Sequence, residues 1–143
     1  MKKHKTKFHE FNPQVYPFRL WVAIQPTITE VGRKFINILP RGEWRNFEDS
    51  DFDDNFGVVA TVHPVGEKGT NQAGVLVCIQ QPKKFGVSII AHEAAHCADF
   101  FCENLGINTG SFNDGEPYAY IVGWVAECCA NTMKPKKRKV KAK

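Results

Sequence analysis

The chain has 143 residues, 43% of them hydrophobic and eleven of them Phe, enough for one domain with a real core. Five cysteines, two of them adjacent at Cys128-Cys129, suit a disulfide framework poorly. No apolar run follows the Lys-rich start and none is long enough to cross a bilayer, so the expectation is a soluble, reduced, cytoplasmic protein.

The net charge of +4 is unevenly placed. Residues 1–9 carry four lysines and residues 134–143 carry seven Lys and Arg, which leaves eight basic against fifteen acidic residues between them. We read residues 1–12 as a basic arm, 13–133 as the folded domain and 134–143 as a basic tail. Basic tails of this kind make non-specific contact with nucleic acid. They carry a rival reading, in which the chain is a nucleic-acid- or virion-associated binding protein.

In chain order, Phe18-Arg-Leu-Trp-Val-Ala-Ile24 alternates Phe18, Leu20, Val22 and Ile24 against Arg19, Trp21 and Ala23, the period of a strand. Thr27-Ile-Thr-Glu30 is a capping box that opens a helix running to about Leu39, where Pro40 stops it. Phe47 to Asn55, dense in Asp and Glu, reads as a solvated acidic turn. Gly57–His63 and Gly74–Gln80 read as two further strands joined by a long loop. His63, at a strand end, is either structural or a group that polarises a substrate carbonyl. The strand at 74–80 is expected to be a sheet edge on which an extended substrate can pair.

The segment Val87-Ser-Ile-Ile-Ala-His92-Glu93-Ala-Ala-His96-Cys-Ala-Asp99 follows, with Val87, Ile90, Ala94, Ala98, Phe101 and Leu105 at helical spacing and Gly106 as a stop signal. A shuffle of this composition contains His-Glu-x-x-His only about once in a hundred times, so the match carries information. On a helix His92 and His96 lie about 40° apart around the axis, and both imidazoles can reach one ion. Glu93, rotated by about 100° from His92, stands where it can take a proton from a water on that ion. Zinc accepts imidazole nitrogen and leaves a position open for water.

Three residues compete for a third ligand position. Asp99 shares the histidine face one turn further on and suits a carboxylate that orients an imidazole from behind. Cys102 stands six residues after His96, but reaching back would need a bend at Asp99 that the pattern does not support. Glu116 opens a new helix, Glu116-Pro-Tyr-Ala-Tyr-Ile-Val-Gly-Trp-Val-Ala, beyond a Gly/Asn-rich loop. On that helix Tyr120, or alternatively Tyr118, can donate a hydrogen bond to an oxyanion or to a ligand carboxylate.

His92-Glu93-Ala-Ala-His96 followed by Glu116-Pro-Tyr-Ala-Tyr resembles the gluzincin-type zinc metallopeptidases, in particular the small ones encoded by phages and prophages. The resemblance spans residues 16–128 and implies a minimal α+β zincin fold: a small mixed or antiparallel sheet of about three strands, the motif helix and two further helices. It implies one Zn2+ per chain, held by His92, His96 and Glu116, with Glu93 as general base on a peptide or protein substrate. For a phage-encoded chain the compartment would be the host cytoplasm.

Overall fold

A computed structural model describes residues 5–52, 58–109 and 115–135. Among these, the strands are β1 (Phe8–Phe11), β2 (Arg19–Ile24), β3 (Phe35–Ile38), β4 (Trp44–Arg45), β5 (Ala60–Glu67) and β6 (Ala73–Ile79). The helices are α1 (Ile28–Lys34), α2 (Val87–Leu105) and α3 (Glu116–Met133). The six strands form one mixed sheet in the order β1-β2-β6-β5-β3-β4. Only the β2–β6 pair is parallel, with Leu20 opposite Val75 and Val22 opposite Val77. The fold is therefore α+β with three helices, but the expected sheet of about three strands is wrong by half.

The extra strands come from stretches whose sequence pointed elsewhere. Phe8–Phe11, read as part of a basic arm, pairs antiparallel with β2 as an edge strand. The backbone N–H and hydroxyl of Thr6 both donate to the Glu30 carboxylate, at 2.8 and 3.0 Å, and tie this segment to α1. The Thr27/Glu30 capping box starts α1 as expected. The helix then ends at Lys34 rather than Leu39, because Phe35 and Asn37 turn inward on alternate positions and pair with β5. β-Branched and aromatic side chains fit that pleated, half-buried surface better than a helix interior.

The sheet is covered on both sides. On one side α2 and α3 pack over Leu20, Val22, Val75, Val77 and Ile79 through Ala94, Cys97, Ala98, Phe101, Val125 and Cys129. On the other, Trp21, Ala23, Val31, Phe35, Phe52, Val65, Leu76 and Cys78 form a second core. This explains why Trp21 and Ala23 are fully buried rather than facing water: β2 is a central strand, buried on both faces. Gly74 is required by the same closeness, since a Cβ there would strike the Arg19 carbonyl oxygen and the Trp21 ring.

β6 is likewise central, paired with β2 and β5, so the expected substrate-pairing edge does not lie on it. β5 pairs with β6 along Ala60–Gly66 but meets β3 only at Val65, Gly66 and Glu67. Among the described residues, Ala60–His63 has no strand on its other side. No helix among the described residues is long and apolar enough to cross a membrane. Residues 136–143, most of the basic tail, lie outside the described part of the chain.

Candidate functional site

α2 begins after Gly86 and ends at Gly106, whose left-handed conformation (φ 67°) caps it. Its buried face is Glu93, Ala94, Cys97, Ala98, Phe101 and Cys102. The expected apolar stripe is thus shifted: Val87, in the first turn, is 86% exposed, and Cys97 and Cys102 join the core. His92 and His96 lie on the exposed flank, one turn apart.

There the helix brings together the atoms the spacing called for. The Nε2 atoms of His92 and His96 stand 3.1 Å apart, with the rings edge to face at 4.7 Å between centroids. Glu93 is only 8% exposed. Burial pushes its carboxyl above the ordinary carboxylate range, and the two imidazoles pull it part of the way back. The arrangement is two convergent nitrogen donors beside a carboxyl whose proton affinity is raised, at the mouth of a cleft between α2 and β5.

Glu93 divides that cleft. On one side is a cavity of about 360 Å³ lined by Ala60, Thr61, Val62, His63, His96 and Phe100. On the other lies one of equal size lined by Val58, Val59, Ala60, Ser88, Ile89 and His92. Glu93 and Ala60 border both.

His63 reaches this cleft only through its backbone. Its ring lies on the opposite face of β5, 2.9 Å from the Thr61 hydroxyl, between Phe47 (5.7 Å) and Phe52 (4.9 Å). Burial lowers its pKa to about 4, against a smaller upward pull from Asp51, so the ring is neutral at pH 7. The structural reading of His63 is the one its surroundings support. The acidic turn nearby is also structural in part: Asp51 receives two hydrogen bonds from Arg45, at 2.8 and 3.1 Å.

The competing third ligands separate clearly. Cys102 is 2% exposed and faces the core. Asp99 stands beside Tyr118, whose hydroxyl is 3.5 Å from the Ala95 carbonyl oxygen. Burial and the Asp99 charge push the Tyr118 phenol up. Tyr118 is thus the tyrosine that docks α3 on α2, whereas Tyr120 is 75% exposed. Glu116 is exposed in the first turn of α3. Among the described residues, no group of three His, Cys, Asp or Glu side chains is placed to hold a metal, so Glu116 and the two histidines are not gathered here.

Cysteine chemistry is not part of the site. All five thiols are free and buried, and burial raises Cys129 to about 12 and Cys97 well above its ordinary value. Thiols held protonated in this way are poor nucleophiles and poor ligands. Helical spacing alone does not mark the cleft's apolar walls, Ile89 and Phe100, because both lie within an amphipathic helix whose apolar stripe reads as core.

No protein-family model matches the chain, and neither does any curated protein or solved structure. With no third ligand gathered beside the histidines either, the resemblance to gluzincin-type and phage-encoded metallopeptidases is not upheld. Among the described residues, what stands is an α+β fold of three helices and a six-stranded mixed sheet, with a His-His-Glu cleft.

Proposed function

We propose that the chain is a zinc-dependent hydrolase of peptide bonds, with His92 and His96 as zinc ligands and Glu93 as general base. The carrying observation is the convergence of the two Nε2 atoms, 3.1 Å apart, beside a buried carboxyl of raised proton affinity. Imidazole nitrogens are donors zinc prefers, and no Lys or Arg stands among the residues lining the two cavities. A bound zinc ion supplies a Lewis acid that polarises a carbonyl and acidifies water.

The chain's own groups do the rest. Burial gives Glu93 the basicity to accept the proton of the attacking water as the carbonyl carbon gains its new bond. When the C–N bond breaks, Glu93 returns that proton to the departing amine. Glu116 is the proposed third protein donor: it opens α3, and two residues on the Tyr118 hydroxyl lies 3.5 Å from the carbonyl oxygen of Ala95, the neighbour of His96. Among the described residues no strand pairs with β5 on its outer side at Ala60–His63, and that flank supports an extended peptide as the substrate. Five free thiols suit a reducing compartment, and we place the chain in the cytoplasm.

Elemental analysis of the purified protein tests this first, with one zinc per chain expected in the wild type and a marked loss in His92→Ala and His96→Ala. Glu93→Gln should keep the metal and lose hydrolysis of a mixed peptide library by at least about a hundredfold. Undiminished zinc in both histidine variants, or activity of Glu93→Gln within a few-fold of wild type, refutes the reading.

A further inference from the structure

The cleft itself says more about the substrate. Along α2, Ile89, Glu93, His96 and Phe100 follow one another at three- and four-residue steps and form a single stripe facing β5. From Ile89 to Phe100 that stripe is about 16 Å long at the helical rise. Opposite it, Val58 to His63 covers about 16 Å at the rise of a strand. The two walls run alongside in the same sense, since Val58 and Val59 border the cavity of Ile89 and His92 while Val62 and His63 border that of His96 and Phe100. The length matches about five extended residues.

Each end of this slot presents a large apolar side chain, Ile89 at one and Phe100 at the other. The lining residues carry one carboxyl, Glu93 in the middle, with the His92 and His96 imidazoles beside it; the others are Ala, Val, Ile, Phe, Ser and Thr, and His63 enters only by its backbone. The side chains of Ala60 and Val62 turn toward α2, since they sit opposite Ile79 and Val77 of the core beneath that helix. Ile89 and Phe100 are half-buried, with part of each side chain left to the cavity. A charged side chain placed against Ile89 or Phe100 would lose water there, while the one carboxyl lining the slot, Glu93, sits at its middle.

Resting on the hydrolase reading, we propose that the cleft takes an extended peptide of about five residues along Val58–His63. Ile89 and Phe100 then determine specificity, each selecting an uncharged apolar side chain at its own end of the slot. The backbone of the peptide pairs with the flank of β5 at Ala60–His63 that carries no strand among the described residues, which fixes its register but reads no side chain.

The test is digestion of a randomised decapeptide mixture by the zinc-loaded full chain, with products sequenced by mass spectrometry. Apolar residues should be enriched at one position on each side of the cut, and Asp, Glu, Lys and Arg depleted there by about tenfold or more. Ile89→Glu should shift the preference at one of these positions toward Lys and Arg and leave the other unchanged, and Phe100→Glu should do the converse. If either variant fails to fold, Ile89→Ala and Phe100→Leu replace it, each broadening the size tolerance at its own position only. A second measurement needs no turnover: fluorescence anisotropy of labelled pentapeptides on zinc-loaded Glu93→Gln, where apolar ends should bind about tenfold tighter than aspartate ends. Cleavage without end preference, or variants that alter both positions alike, overturns the proposal. Selective binding with no cleavage by the wild type supports the slot and sinks the hydrolase reading instead.

Discussion

His63 should make the protein acid-labile, and the size of the effect follows from its burial. The ring is 9% exposed, packed between Phe47 and Phe52, and its pKa is lowered to about 4 from an ordinary 6.5. Below pH 6.5 the unfolded chain takes up a proton that the folded chain refuses until the pH approaches 4. Stability from this group is therefore complete above the unfolded value and is lost as the pH falls through that window. The whole shift corresponds to about 3 kcal/mol, of which about 2 kcal/mol disappears between pH 7 and pH 5. Asp51 and Arg45 face the same region and titrate or persist in parallel, so the comparison must be with a variant that removes only the imidazole. His63→Leu does this at similar volume. Urea unfolding, followed by Trp fluorescence under reducing conditions at half-unit steps from pH 7.5 to 5, gives the stability of both proteins. The wild type should lose about 2 kcal/mol more than His63→Leu across pH 7 to 5. Parallel curves would show that the ring is protonated, or released to solvent, in the folded state.

Two further perturbations address the core and the site. Gly74→Ala forces a methyl against the Arg19 carbonyl and the Trp21 ring, both in a rigid central strand pair, and should cost about 3 kcal/mol or more, read as a lower melting temperature in calorimetry. A cost near zero would mean that β2 and β6 are not in this register. In a zinc titration against a competing chelator, Glu116→Ala should weaken binding more than Asp99→Ala, and Cys102→Ala should leave it unchanged because that thiol is buried in the core. Wild-type affinity in Glu116→Ala would remove it from the ligand set.

The helices were more legible than the sheet, for a physical reason. Helical order is written in near neighbours, so a capping box at Thr27–Glu30, a left-handed glycine at Gly106 and a proline at Pro117 mark ends of α1, α2 and α3 locally. A strand is finished by its partner. Phe35-Ile-Asn-Ile38 supports either a last helical turn or a strand, and what decides is β5 waiting at Val65–Glu67, thirty residues on. Phe8–Phe11 is the same case: two aromatics among lysines make an arm until β2 lies beside them. The alternation rule failed on β2 because it presumes one wet face, and the second core under Trp21 and Phe35 removes it.

The candidate site divides along the same line. His92, Glu93 and His96 belong to one helix, so their spacing alone placed two imidazole nitrogens within 3.1 Å and a carboxyl beside them. Everything contributed by another element was beyond reach of spacing. Which tyrosine meets α2 depends on how α3 is rotated, and that rotation buries Ile121, Val125, Cys128 and Cys129, which turns Tyr118 inward and Tyr120 outward. The same rotation leaves Glu116 exposed at the start of α3. A ligand set spread over two helices thus depends on the packing angle between them, whereas the His-Glu pairing depends only on the helical repeat. The chelator titration of Glu116→Ala is therefore the measurement that bears on how α2 and α3 meet in the zinc-loaded protein, while the alanine variants of His92 and His96 bear on α2 alone.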